Sequence, residues 1–179
     1  MPRILVTYAS RFGSTRDVAA AIAEELASSG FDVDVLYANP GLDLSKYDGV
    51  VVGSPSYGEH WLPGASLFVV GNANKLSGLP VAMFTTGMLG VKNPRSALRE
   101  HNTIMSALRE VAPGVSPVST ALFHGHFERK NLPLCLRIMD RLAGTPQGDH
   151  RDWDAIRSWG RSVGDLFTIQ LRDKGPDRE

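Results

Sequence analysis

Small and hydroxyl-bearing side chains cluster in one turn near the start of the chain. The segment YASRFGSTRDVA, residues 8–19, lies between an apolar strand pattern and a helical pattern, and it carries Ser10, Gly13, Ser14 and Thr15. Backbone N–H groups at a helix N-terminus attract an anion, and small residues let phosphate oxygens approach them. The residues alone leave two interpretations open. The turn binds a phosphate group, or the serines cap the helix while Gly13 makes the turn.

Two later loops place aromatic or small side chains beside glycines. GSPSYGEHW spans residues 53–61 and TTGMLG spans residues 85–90, and each follows a predicted strand. An aromatic ring can stack on a flat ligand, and glycine lets the backbone come close to it. Tyr57, beside Gly58 at a strand end, favours ligand contact. Trp61 fits ligand contact and sheet packing equally well.

These loops need a fold that brings them together, and the alternation of patterns predicts one. Apolar strand patterns occupy residues 4–8, 33–37, 50–52, 81–86 and 118–123, and helical patterns occupy residues 16–28, 67–76, 96–111, 132–142 and 153–171. Alternating strands and helices predict an α/β fold, with a parallel sheet covered by helices on both faces. Ligands bind such sheets beyond the carboxyl ends of the strands, where all of these loops would lie.

The charge balance limits the partners that this chain can have. Lys+Arg and Asp+Glu each total 19, so the formal net charge is zero. Nucleic-acid binding usually needs a basic surface, and no nucleic-acid partner is expected. A strongly acidic carrier that steers towards basic proteins is also disfavoured. The single Cys135 cannot form an intramolecular disulfide, which fits a reducing compartment.

Hydropathy predicts a cytoplasmic location and leaves peripheral membrane contact open. No apolar stretch approaches the roughly 20 residues that span a bilayer, and the first apolar run is too short for a signal peptide. We expect one domain over residues 1–171 and a disordered tail over residues 172–179. His124 and His126 would share one face at a strand end. Pocket contact is favoured there over a metal site, because no further ligand has a recognisable spacing.

The first turn resembles the phosphate-loop signature of the flavodoxins. That signature has an apolar strand, an aromatic residue, Ser or Thr, a small residue, Thr and then Ala, and the matching residues are Tyr8, Ser10, Gly13, Thr15 and Ala19. Thr7 departs from it. The turn has neither the GxGxxG nor the GxxxxGK(S/T) form, so a Rossmann dinucleotide site and a P-loop are disfavoured. The resemblance implies an FMN cofactor whose phosphate lies within residues 10–15. It also implies a flavodoxin-like three-layer sandwich with a five-stranded parallel sheet in the order 2-1-3-4-5.

The resemblance further implies which residues bind the cofactor. They come from the three loops and are Ser10, Arg11, Phe12, Gly13, Ser14 and Thr15, then Ser54, Pro55, Ser56, Tyr57, Gly58 and Trp61, and finally Thr85, Thr86, Gly87, Met88 and Gly90. No pair of titratable groups stands out in the sequence. We therefore predict no particular catalytic residue.

Several later segments resemble the menaquinone-dependent protoporphyrinogen IX dehydrogenases, a family of flavodoxin-fold enzymes. These segments are YGEHW, VAMFTTGMLGVKNPRSAL, ALFHGHFERKNLPLCLRIMDRLAG and RDWDAI. The resemblance implies a long segment over residues 124–149 that small carrier flavodoxins lack in this form. Three placements of its predicted helix stay open: over the flavin, against a membrane surface, or packed on the core.

Three functions remain open on the sequence. The resemblance favours an FMN-dependent oxidoreductase that passes electrons from a bulky reduced small-molecule substrate to a quinone. A flavodoxin that carries single electrons between redox protein partners would need only the three loops. The third function is that of an interaction module that has lost its flavin.

Overall fold

Five parallel strands form the central sheet of the molecule. The strands in chain order are β1 (Arg3–Tyr8), β2 (Asp32–Tyr37), β3 (Gly49–Tyr57), β4 (His60–Trp61), β5 (Val81–Gly87), β6 (Ser119–His124), β7 (His126–Phe127) and β8 (Gly148–Asp149). The parallel sheet has the order β2-β1-β3-β5-β6, while β4 folds back antiparallel on β3 and β7 pairs antiparallel with β8. Counted over the five long strands, this is the order 2-1-3-4-5, and the predicted α/β fold is confirmed.

A computed structural model describes residues 1–173, with the backbone alone at Met139 and Ala143. Its helices are α1 (Ser14–Ser28), α2 (Pro63–Gly71), α3 (Ala73–Leu76), α4 (Leu89–Lys92), α5 (Pro94–Val111), α6 (Leu134–Ala143) and α7 (Trp153–Asp173). A 3₁₀ turn at Arg129–Asn131 precedes α6. The last helix thus includes the first two residues of the predicted tail, and residues 174–179 lie outside the described residues.

Two elements differ from the sequence prediction for local reasons. The single helix expected over residues 67–76 is two helices, because Asn72 interrupts it and its side-chain amide donates to the carbonyls of Phe68 and Pro40. Strand β3 continues beyond the predicted end at residue 52, because its polar end stays paired with β5 as far as Pro55. The polar residues of the second loop are therefore held at fixed positions on the sheet.

Apolar packing covers both faces of the sheet and makes three layers. On one face Phe68 of α2 and Leu108 of α5 pack against sheet residues such as Val52. On the other face Ile22 of α1 and Phe167 of α7 pack against the opposite side of the same strands. Each fully buried aliphatic or aromatic side chain of this kind stabilises the fold by about 1.5–3 kcal/mol. With both faces of the central strands covered, the accessible parts of the sheet are the edge strand β2 and the loops at the strand ends.

No helix within residues 1–173 combines the length and apolar character needed to cross a membrane.

The close contact of Gly53 with Phe84 gives a stability prediction. A Cβ atom at Gly53 would lie 2.0 Å from Cζ of Phe84. That ring cannot move aside freely, because Phe123 and Trp159 pack on it at centroid distances of 6.1 and 6.0 Å. We expect Gly53→Ala to lower the free energy of unfolding by about 1–3 kcal/mol, measured by urea denaturation.

Gly78→Ala is the matched control, because a Cβ there meets only the Lys75 carbonyl at an ordinary 3.6 Å. If both variants unfold at the same urea concentration, the Phe84 ring does not restrict residue 53.

Candidate functional site

The three predicted loops meet at one cavity of about 760 Å³ beyond the carboxyl ends of β1, β3 and β5. Ligand pockets in proteins commonly have volumes of roughly 300–1,000 Å³, so a small organic molecule fits in this space. Of the residues predicted to bind the cofactor, those that line the cavity are Ser10, Arg11, Phe12, Ser14, Thr15, Pro55, Ser56, Tyr57, Gly58, Thr86, Gly87 and Met88.

The other predicted residues, Gly13, Ser54, Trp61, Thr85 and Gly90, do not line this cavity. Trp61 is only 4% exposed, and its indole Nε1 donates to Thr85 Oγ1 at 3.0 Å. The Ser54 hydroxyl accepts from the Leu62 N–H at 2.9 Å and fixes the chain after β4. Gly90 lies against the His124 ring, which a Cβ atom would approach within 2.6 Å. The structure places Trp61, Ser54, Thr85 and Gly90 behind the cavity wall, where they support it.

The first turn presents unpaired hydrogen-bond donors. Gly13 has a left-handed φ of 89° and is the N-cap of α1, which has no side-chain cap. Within the described residues, the backbone N–H groups of Ser14, Thr15 and Arg16 have no acceptor. Together with the helix dipole, these N–H groups make a site for an anion such as a phosphate.

Two serine hydroxyls at this turn are already used as acceptors. Ser10 Oγ accepts from the Gly13 N–H at 2.9 Å. Ser14 Oγ accepts from the His126 N–H at 2.9 Å. Neither bond uses the hydroxyl hydrogen, so both serines can still donate one. The serines therefore do not cap α1, and their chemistry fits a phosphate ligand.

The tip of the second loop is a tight turn between β3 and β4. Gly58 and Glu59 have φ values of 57° and 66°, and Tyr57 pairs with His60 across the turn. Two successive residues with positive φ define a type I′ hairpin, and the left-handed conformation costs Glu59 about 1 kcal/mol or more. The Glu59 N–H donates to a carboxylate oxygen of Glu100 at 3.3 Å. Glu100 lies on α5 and is only 9% exposed, and its hydrogen bond holds the strained turn in place.

Aromatic rings and one cation lie beside this turn. Tyr57 and Phe12 are 43% and 37% exposed and line the cavity. The Arg11 guanidinium lies 5.9 Å from the centroid of each ring. The two rings offer flat apolar surfaces to a planar ligand, and Arg11 places a positive charge next to the first turn.

Buried hydrogen bonds connect the third loop to its neighbours. Thr86 Oγ1 and Thr15 Oγ1 lie 2.9 Å apart, which joins the third loop to the first. Thr85 Oγ1 lies 3.0 Å from Nδ1 of His101 on α5. Burial lowers the pKa of His101, so the ring is neutral at physiological pH. Its Nδ1 can then accept a hydrogen bond from the Thr85 hydroxyl. These bonds fix the third loop relative to the first loop and to α5.

A fourth wall closes the cavity, and the sequence predicts only part of it. The sequence leaves a position of residues 124–149 over the ligand as one of three placements, and it predicts pocket contact for both His124 and His126, which is wrong for His124. The structure puts His126 in the lining, whereas His124 packs behind it on Gly90. The residues that sequence reasoning missed are Glu59, Leu89, Lys92, Ser96, Arg99, Glu100, Gly125, Phe127, Leu132, Asp140, Gly144, Thr145 and Pro146.

Ion pairs attach this wall to the rest of the domain. Arg151 contacts Asp149 of β8 at 2.6 Å and Asp17 of α1 at 3.1 Å. The hydrogen bond from Arg151 lowers the pKa of Asp149 to about 2. A depressed carboxylate pKa stabilises the folded state at neutral pH, and this contribution is lost as the pH falls from the ordinary pKa of 3.8 through the folded-state pKa of about 2. At the other end of the wall, the Lys92 ammonium donates to the Gly144 carbonyl.

No group of three His, Cys, Asp or Glu residues in the part of the chain that the structure describes is arranged to hold a metal ion.

Comparison with known proteins agrees with this geometry. Residues 5–154 match the model of the flavodoxin domain, so the chain belongs to the flavodoxin-domain family. Membership of this family implies a flavin cofactor. The unpaired N–H groups, the free hydroxyl hydrogens and the exposed aromatic rings described above fit such a group.

Individual relatives are more distant. The chain is 34% identical over 92 residues to "Probable flavodoxin 1" of Bacillus subtilis, a match that covers 49% of this chain and 58% of that protein. It is 27% identical over 92 residues to "Protoporphyrinogen IX dehydrogenase [quinone]" of Escherichia coli K12, covering 50% of this chain and 51% of that protein. The chain thus spans about half the length of the curated relatives it matches.

A solved structure shows the same fold at low identity. A short-chain flavodoxin associated with a non-canonical PDU bacterial microcompartment superimposes with a TM-score of 0.59 at 13% identity. The superposition covers 95% of this chain and 99% of that one.

Glu100 gives a prediction that needs no bound ligand. We expect Glu100→Ala to speed amide hydrogen exchange at Glu59 by about tenfold or more, because a hydrogen bond to a charged group contributes about 1.5–3 kcal/mol. Glu100→Gln keeps an acceptor oxygen and should remain much closer to wild type. Exchange is measured by NMR at pH 7.

Glu110→Ala serves as a second control on the same helix, where the side chain is exposed. If the Glu59 amide exchanges equally slowly in Glu100→Ala, the turn keeps its conformation without the hydrogen bond to α5.

Proposed function

We propose that this chain is an FMN-dependent oxidoreductase that passes electrons from a reduced organic substrate to a quinone-type acceptor. The observation that carries the proposal is the fourth wall, which spans Gly125 to Pro146 and turns the edge of the sheet into a deep cavity. An electron carrier needs the three loops around its flavin. A wall beyond them provides space and contacts for a second molecule.

The first turn supports FMN as the flavin. FMN differs from riboflavin in its phosphate, and the phosphate is the group that unpaired N–H groups at a helix N-terminus favour. Ser10 and Ser14 each keep a hydroxyl hydrogen to donate. Arg11 adds a positive charge at the same turn. FMN would supply the redox chemistry, and the chain would hold it, orient it and exclude water.

The lining of the cavity outside the three loops supports an apolar substrate that carries negative charge. Leu89, Phe127 and Leu132 give the lining apolar surface. Lys92 and Arg99 also line the cavity and carry positive charges. A reduced tetrapyrrole with carboxylate groups matches both features, and so links the proposal to the dehydrogenase named above. A quinone matches the apolar part.

The second candidate is a flavodoxin that carries single electrons between redox proteins. The 34% identity to the Bacillus subtilis relative favours this candidate. An electron carrier would use the three loops, and it would have no substrate for Lys92 and Arg99 to bind.

The phosphate assignment predicts a difference between two ligands. We expect Ser10→Ala to weaken FMN by about 1.5–3 kcal/mol, because a hydrogen bond to a charged group is lost, and to change riboflavin affinity little. Titration of apoprotein with each flavin, followed by fluorescence, measures both. Ser96→Ala is the control, since Ser96 lines the cavity from α5. Equal weakening of the two flavins by Ser10→Ala would place the phosphate elsewhere.

Turnover separates the two functions. We expect FMN-loaded protein to oxidise protoporphyrinogen IX anaerobically with a soluble menaquinone analogue, well above the rate with free FMN. Arg99→Gln should raise the KM for the carboxylate substrate by roughly tenfold, the effect of losing one charge-assisted contact, without changing FMN affinity. Absence of turnover, combined with fast one-electron exchange with a flavodoxin reductase, would establish the carrier instead.

A further inference from the structure

Helix α6 exposes a continuous apolar stripe. Leu134, Ile138 and Leu142 are 73%, 63% and 86% exposed. Their spacing of four residues places them along one side of the helix. Isolated exposed apolar residues are common on protein surfaces, whereas three large ones in a row on one helix indicate a surface that binds something.

Positive charges flank this stripe. Arg137 and Arg141 follow Leu134 and Ile138 by three residues and lie beside them on the helix. Within the described residues, neither arginine is paired with a carboxylate, although the Arg137 guanidinium donates to the backbone carbonyls of Leu132 and Lys130 and keeps Nη1 for a further acceptor. The one acidic residue of α6, Asp140, is bound by Arg129 at 2.7 Å.

The exposed charged residues that line the cavity are also mainly cationic, and one of them, Lys92, donates to the Gly144 carbonyl at the end of α6. Arg11, Lys92 and Arg99 are exposed there, and Glu59 is the exposed carboxylate among them. A protein with zero formal net charge therefore presents a positive face around an apolar stripe. Such a face is complementary to a surface that is negative outside and apolar beneath.

We propose that α6 docks this protein on an anionic lipid bilayer. Leu134, Ile138 and Leu142 enter the boundary between headgroups and acyl chains, while Arg137 and Arg141 contact lipid phosphates. Short amphipathic helices with cationic flanks bind membrane interfaces in this way. Residues at both ends of α6 line the cavity, so docking brings the cavity mouth to the lipid surface. An acceptor dissolved in the membrane would then reach the site without crossing water.

A second copy of the chain fits the stripe less well. A helix of 10 residues is about 15 Å long, and stable protein interfaces bury roughly 800 Å² on each partner. Three side chains on one short helix do not supply that area. Insertion into a bilayer has no such minimum, because its binding energy grows with each buried apolar group.

Vesicle co-sedimentation tests the proposal directly. We expect the protein to bind phosphatidylcholine vesicles that contain phosphatidylglycerol, and to bind pure phosphatidylcholine weakly. The variant Leu134→Gln/Ile138→Gln/Leu142→Gln should lose about tenfold or more in partitioning, since it removes the inserted groups. Arg137→Gln/Arg141→Gln should lose most of the dependence on phosphatidylglycerol and on salt.

A matched control removes equally exposed apolar residues elsewhere. Leu67, Val111 and Ile169 are 56%, 58% and 56% exposed on α2, α5 and α7. We expect Leu67→Gln/Val111→Gln/Ile169→Gln to bind vesicles as wild type does. Circular dichroism and FMN titration show that each variant is folded and holds its flavin, and so separate a docking defect from a failure of the proposed function.

The position of Cys135 allows a second measurement. It is the only cysteine of the chain, and it is exposed on α6. A polarity-sensitive dye on Cys135 should shift to the blue with anionic vesicles, and the shift should disappear in the α6 glutamine variant.

Two results would overturn the proposal. One is equal vesicle binding by wild type and the α6 glutamine variant, or no binding by either. The other is a concentration-dependent dimer in analytical ultracentrifugation that the same substitutions abolish, because the stripe would then belong to an interface between copies.

Discussion

Burial of both faces of the sheet is the constraint on which the rest of this structure depends. Parallel strands that are covered by helices leave little room for polar groups along their length, and they end in loops at a common edge. Ser10, Tyr57 and Thr86 are far apart in the sequence and meet at that edge. Their proximity needs no special contact between the loops, because the register of β1, β3 and β5 already provides it.

Periodicity predicted the α/β fold and the position of the loops, and the resemblance implied the order of the strands. The first turn is a short motif, and the contact between Ser10 and Gly13 arises within a few residues, whereas Ser14 also accepts a hydrogen bond from the distant His126 N–H. The fold therefore followed from periodicity and from a resemblance carried by that one turn. The ends of elements were harder to predict, and the polar end of β3 continues as a strand because β5 lies beside it.

Contacts between distant residues explain what the sequence did not predict. Trp61 is turned inward because Thr85 offers an acceptor to its indole N–H, and Thr85 in turn contacts His101. Neither partner is apparent from the loop GSPSYGEHW. The fourth wall depends likewise on Arg151, which reaches both Asp149 and Asp17. Periodicity describes one element at a time and contains no information about such pairings.

The hydrogen bond from the His126 N–H to Ser14 Oγ has a thermodynamic consequence. A hydroxyl that accepts one hydrogen bond becomes a better donor for the next, because the two bonds polarise each other. In the proposed FMN complex, the wall would thereby strengthen the donor that Ser14 offers to the phosphate. Linkage requires the reverse as well, so a phosphate bound there would strengthen the attachment of the wall by the same free energy. Under that proposal, binding of the phosphate and attachment of the wall are one coupled equilibrium.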